Sequence, residues 1–224
     1  PRAPRLASVS RVDTHNTAWG FSPTFLANGL FYLSHQMSEF LPDGQKPTNA
    51  VPDLSRGRWI TRHFLSVVDF ADPANPTVRP PVNLPGQLAA VTHAGEVLYT
   101  TGYHWNEKGE TDWTQFLDVL AYDGVEASLV TSQRVGDGWT GQVATAADHL
   151  IVGRYDSAKP STRLETWRLT DQGVLLQVGL TETTGYLSQL TRLDELLLAS
   201  AGSAVTVWDT THPTTLRQVG QSAG

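Results

Sequence analysis

Four residues of this 224-residue chain pair reactive side chains with comparable places in the sequence: His35, His104, Arg154 and Tyr155. Each falls at or just beyond the end of a short apolar run, so a fold that set those runs side by side would gather them near one opening. An imidazole, a guanidinium and a phenol together could move protons or hold a developing negative charge, as a hydrolase or lyase requires. A metal reading would take His35, His104 and Glu107, with His15 nearby. One His-x-x-Glu on an irregular segment lacks the tight ligand spacing of motifs such as H-E-x-x-H, so no metal is assigned. His63, His93, His149 and His212 fall at turns and strand starts, where hydrogen bonding to backbone is the default. There is no G-x-S-x-G elbow, P-loop, dinucleotide fingerprint or EF-hand loop, and no cofactor is expected. Glu107 with Asp112 and Asp194 with Glu195 read as solvated loop carboxylates; a glycosidase pair is defined by a separation in space that spacing does not supply. The chain has no cysteine, which removes disulfides, thiolate metal sites and cysteine nucleophiles together.

A second set of residues suits binding. Trp19, Trp59, Trp105, Trp113, Trp139 and Tyr186 all lie in segments between apolar runs. Large rings with a polar tip make partner or carbohydrate contacts at low entropic cost. The competing reading is that they pack loops onto the elements beneath.

The elements that must position both sets are strands. Short runs rich in Val, Leu, Thr, Tyr and Trp are bounded by Gly, Asp, Asn and Pro, and helical periodicity is nearly absent. Leu30 to His35, Val97 to Gly102, Leu150 to Tyr155 and Leu196 to Ala201 can be laid over one another, each after a small turn element. Leu65 to Phe70, Leu117 to Tyr122, Leu164 to Leu169 and Val205 to Thr210 then follow as alternating strands. A polar turn and a final strand complete each unit. Four strands recurring about every 50 residues are the mark of propeller blades, which bury their faces by stacking on one another. A β-sandwich is the rival, but it does not call for one four-element order used four times. The expected fold is therefore all-β, with blades at 17–84 (carrying a long loop at 36–62), 85–135, 136–180 and 181–224. Residues 1–12 read as one extra outer strand that closes an upstream blade, which makes the chain part of a larger ring. A self-contained ring of four blades with a spare strand is the alternative.

Hydrophobic residues make up 40% and charged residues 17% of the chain, a globular balance. No apolar run is long enough to span a membrane as a helix. The net charge of -6 and the lack of a basic stripe argue against a nucleic-acid partner, although Arg56, Arg58 and Arg62 lie close together. The stretch Leu65-Ser66-Val67-Val68-Asp69-Phe70-Ala71-Asp72-Pro73-Ala74-Asn75-Pro76 resembles the LVIVD-type repeats of bacterial propeller proteins. Val205-Thr206-Val207-Trp208-Asp209-Thr210-Thr211-His212-Pro213 is a weaker echo and is also similar to the Trp-Asp strand ends of WD40 repeats. The middle blades have Ala121-Tyr122-Asp123-Gly124 and Leu169-Thr170-Asp171-Gln172-Gly173 in place of the proline turn. The resemblance implies architecture and an extracytoplasmic (periplasmic or secreted) location, and it transfers no catalytic residue.

The leading expectation for function is a non-enzymatic scaffold that binds a protein or glycan through the face bearing the long loops between second and third strands. The other is an enzyme with His35, His104, Arg154 and Tyr155 at the mouth of the central channel. A third is that the blades brace another part of a longer parent chain.

Overall fold

A computed structural model describes residues 24–42, 57–104, 114–135 and 139–222. They form four antiparallel sheets in a four-blade β-propeller arrangement. Blade 1 holds β1 (Thr24–Ala27), β2 (Leu30–Pro42), β3 (Gly57–Asp69), β4 (Thr77–Val78) and β5 (Val82–Leu84). Its last two strands both pair with β3, as one outer strand broken at Pro80-Pro81, where the backbone has no N–H to give. Blade 2 is β6 (Gln87–Thr92), β7 (Val97–Tyr103), β8 (Gln115–Tyr122) and β9 (Ala127–Arg134). Blade 3 is β10 (Trp139–Ala146), β11 (His149–Asp156), β12 (Ser161–Leu169) and β13 (Leu175–Thr184). Blade 4 is β14 (Gln189–Leu193), β15 (Leu196–Ala201), β16 (Ala204–Asp209) and β17 (Arg217–Gln221). The extra strand expected at 1–12 lies outside the described residues.

Because strand side chains alternate, each blade offers one face to the blade before it and one to the blade after. Tyr32, Leu65 and Val67 of blade 1 meet Leu88, Leu98 and Leu120 of blade 2. Tyr99, Leu117 and Val119 meet Leu150 and Val152 of blade 3. Ile151 and Leu164 meet Leu190, Leu197 and Trp208 of blade 4. These three apolar seams are the core. The corresponding residues on the far face of blade 4, Leu198, Val205 and Val207, are only half-buried, and no apolar cluster among the described residues joins blade 4 to blade 1.

The outermost strand of every blade carries a bulge at the same place. Val130, Val178 and Val219 are each an extra residue opposite the step from Val119 to Leu120, Thr166 to Trp167 and Val207 to Trp208. In blade 1 the break between β4 and β5 supplies the extra residue, and the Arg79 amide reaches back to the Val67 carbonyl at 2.9 Å. A bulge twists a free edge and blunts its capacity to recruit another strand.

Three expectations shift in detail. Both ends of the loop placed at 36–62 are strand: β2 and β3 stay paired from Leu30↔Asp69 out to Pro42↔Gly57, and 43–56 lie outside the described residues. β13 continues past 180 to Thr184. The second strand of blade 3 begins at His149, one residue before the expected Leu150. Leu150 pairs with Trp167 just as Leu98 pairs with Leu120, so Leu150 corresponds to Leu98 and not to Val97. Both Leu150 and Ile151 are apolar, so composition did not reveal the slip, yet one residue reverses which seam a side chain enters.

Blades 1 and 4 also share a polar clasp. Asp69 and Asp209 end their third strands, accept the backbone N–H two residues on (2.9 and 3.0 Å), and pair with Arg79 (3.4 Å) and Arg217 (2.9 Å) of the outer strand. Hydrogen bonds from the Thr211 hydroxyl and the Arg217 guanidinium hold the Asp209 carboxyl well below the usual range. Its contribution is complete above the unfolded value near 3.8 and is lost as pH falls through the lower folded value. Asp209→Asn is therefore expected to lower the melting temperature slightly at pH 7 and by a smaller amount near pH 2. An equal loss at both pH values would contradict the clasp.

Candidate functional site

The register separates the four reactive residues. His35 and Arg154 occupy corresponding places, opposite Phe64 and Arg163, and His104 lies two residues beyond the matching Gly102. All three turn toward the preceding blade, and therefore into different seams. His35 is buried on the face of blade 1 away from blade 2, with its ring 5.5 Å from that of Phe64. His104 enters the seam between blades 1 and 2, and Arg154 that between blades 2 and 3. Tyr155, next in sequence, turns to the opposite face and meets the exposed Tyr186 ring edge-on at 5.2 Å. The four do not converge on one reacting centre.

Two of them are held by buried carboxylates. The Arg154 Nε donates to Glu165 Oε1 at 3.0 Å. His104 Nε2 lies 3.0 and 2.9 Å from the two oxygens of Asp118, and the Ser132 hydroxyl donates to the same carboxylate at 2.5 Å. The imidazole stacks flat on Phe116 with ring centres 3.9 Å apart. Ser66, Asp118, Glu165 and Thr206 are the same position in the four third strands, and all four are buried. This position carries the polar layer of every blade. Ser132 serves Asp118 and not His104, so the trio is not wired as a nucleophile, base and orienting acid.

A cavity opens elsewhere in the seam between blades 1 and 2, at the end of the blades where second strands lead to third strands. Its volume is about 810 Å³. Blade 1 supplies Gln36, Arg62 and His63. Asn83, Pro85 and Gln87 come from the crossing into blade 2, and Tyr103 and Gln115 from blade 2 itself. Gln36 and His63 are cross-strand partners, and His63 points the same way as Leu65, into the seam above the apolar core. Gln115 Nε2 donates to the Tyr103 hydroxyl at 3.1 Å. No carboxylate lines the cavity among the described residues. Among the described residues, Asp72, Asp123, Asp148, Asp171 and Asp194 lie in short turns at the opposite end of the blades.

Glycines shape this crossing. A methyl group on Gly86 would overlap the Thr101 carbonyl, and one on Gly102 would stand 3.0 Å from the Gly86 Cα. These neighbours are backbone and cannot swing aside. Gly86→Ala is expected to cost about 1–3 kcal/mol in urea unfolding, and an unchanged midpoint would refute the close crossing.

His63 departs from the expectation that it would satisfy itself on backbone. It lies within β3 rather than at a turn, and its Nδ1 is buried without a hydrogen-bond partner. Burial lowers its pKa from the ordinary 6.5, and burial does the same for His149. A histidine whose folded pKa is depressed stabilises the fold fully above 6.5 and progressively less as pH falls toward the folded value. The urea midpoint is therefore expected to fall between pH 7.5 and 5.5, and His63→Gln to flatten that fall. A profile with equal slope in the variant would refute the assignment.

Of the aromatic set, Trp19, Trp105 and Trp113 lie outside the described residues, as do His15 and Glu107. Trp59 falls within β3 opposite Phe40, and Trp139 opens β10 opposite Arg154. Tyr186 alone can be placed by its side chain, at the turn into blade 4 and away from the cavity. Reading by residue type thus missed the cavity's amides. Its one legible signal is length, since the two blades that form it carry the two longest second-to-third connections of the sequence. No group of His, Asp and Glu among the described residues could hold a metal ion, and no described helix is long and apolar enough to cross a membrane. Compared with known proteins, the chain matches no family model and none of the curated sequences.

Proposed function

We propose that this chain is a binding scaffold that seats a polar partner, a glycan or a protein segment, in the cavity between blades 1 and 2. The observation that carries this reading is the cavity's lining of amides, one phenol, one arginine and one histidine above a rigid apolar seam. Binding sites of this kind are concave, measure about 300–1,000 Å³ and present a few convergent polar groups. The dispersal of His35, His104, Arg154 and Tyr155 over separate seams weighs against an enzyme. One feature favours it: His104 is held by a buried carboxylate and is still partly open to solvent, as a general base would be.

We further propose kinship with LVIVD-type and WD40-like bacterial propellers, and with it an extracytoplasmic location. The Asp–Arg clasps of blades 1 and 4, the two blades whose sequences carry the resemblance, support that view. The half-covered far face of blade 4 supports a larger ring.

The test is a paired screen of glycan and peptide arrays with the chain and a Gln36→Ala/Gln87→Ala variant. Binding that drops at least tenfold in the variant supports the scaffold. Turnover of ester or glycoside substrates that depends on His104 would replace it with the enzyme.

A further inference from the structure

We infer that the cavity between blades 1 and 2 is a saccharide site for a neutral sugar, with His63 Nδ1 as the hydrogen-bond partner of one ring hydroxyl; this rests on the scaffold reading above. The groups that line the cavity are matched to hydroxyls. A carboxamide both donates and accepts, and so does a sugar hydroxyl, so Gln36, Asn83, Gln87 and Gln115 can each meet one in either sense. The Tyr103 and Thr101 hydroxyls extend the same chemistry along the blade 2 wall.

His63 adds the specific element. Its Nδ1 is buried and has no partner within the protein, although the residue lines the cavity. A buried polar atom left unsatisfied is costly, and a turn of the ring that presents it to a ligand hydroxyl removes that cost. Burial favours the uncharged ring, which can accept a proton in a hydrogen bond at one nitrogen while donating at the other. An apolar ligand, or one without a hydroxyl there, gains nothing at this atom.

Charge and shape narrow the class. A cationic ligand would find no carboxylate on the described walls, and an anionic one would find a single guanidinium beside an uncharged imidazole. A folded protein partner would need a broad contact surface with an apolar centre. The cavity is instead concave, and among its lining side chains Tyr103 is the one large hydrophobic residue that is exposed.

The test titrates the full chain with maltohexaose, cellohexaose, xylohexaose and mannohexaose, with trigalacturonate as the anionic probe and an uncharged nonapeptide as the peptide probe. Affinity is read by calorimetry, and the His63 ring by its long-range proton–nitrogen spectrum. At least one neutral hexasaccharide is expected to bind and to shift the His63 Nδ1 resonance. His63→Phe, which keeps an aromatic ring but has no ring nitrogen, is expected to weaken that binding at least tenfold. Gln115→Ala should weaken it independently, which guards against a folding defect in the first variant, and the melting temperature of each is checked. If only trigalacturonate or the nonapeptide binds here, the scaffold reading stands and the neutral-sugar inference falls. If a hexasaccharide binds but His63→Phe and Gln115→Ala bind it equally well, the sugar sits elsewhere and the inference falls. If nothing shifts the ring, the inference falls, and the array screen alone decides the scaffold.

Discussion

Replacing His104 by alanine is expected to cost the fold about 3 kcal/mol, a large effect for a side chain that is partly open to solvent. The reason lies in its partner. Asp118 is completely buried, and its carboxylate is held by His104 Nε2 and the Ser132 hydroxyl. Removing the imidazole strands a buried charge, a loss of about 3–5 kcal/mol in sealed pairs. The lower end applies here because the His104 side chain is 37% exposed and water can take part of its place. Adding Asp118→Asn to His104→Ala removes the charge while keeping the volume, so the double variant should recover much of the loss. A double-mutant cycle in urea is the appropriate measurement. Strictly additive costs would mean that the two residues are not coupled in this way.

The second large effect compares two valines. Val119 and Val207 hold the same position in β8 and β16, each facing the following blade. Val119 is fully buried in the seam with blade 3, and Val207 is half-buried on the far face of blade 4. Val119→Ala is expected to cost about 2–3 kcal/mol and Val207→Ala less than about 1 kcal/mol, since the loss scales with the cavity left behind. The chemistry of the two changes is identical, so the difference reports how completely each seam is filled. Equal costs would show that the far face of blade 4 is as tightly covered as the inner seams.

The strand order of all four blades could be read from the sequence because alternation and turn residues are local signals. Leu117 to Tyr122 shows its apolar alternation without help from any other segment. Pairing distance carries no such signal. The long extension of β2 and β3 out to Pro42 and Gly57 runs through Gln36, Ser38, Thr61 and Arg58, residues common in loops, and only cross-strand pairing makes them strand. The one-residue slip at Leu150 arose because Leu150 and Ile151 are interchangeable by type, and only the pairing with Trp167 tells them apart.

The site was less legible than the fold. His35, His104 and Arg154 are alike in their place along the strand, and sequence alone suggested that likeness meant proximity. In a propeller, corresponding residues of successive blades are separated by a full blade, so likeness of position distributes them among seams. The cavity, by contrast, is built from unlike positions: the middle of β3, the crossing at Asn83 to Gln87 and the ends of β7 and β8. No periodicity links those segments. Its glutamines and asparagine carry no motif, and their meaning comes from sharing a wall.

The most direct measurement is hydrogen exchange along the whole chain, with and without a saturating amount of the tightest-binding compound from the arrays. Protection that rises at residues 36, 61–63, 83–87, 101–103 and 115, the segments that line the cavity, is the expected result. Protection centred on the short-turn end of the blades, or on the far face of blade 4, would contradict the assignment of function to the cavity between blades 1 and 2.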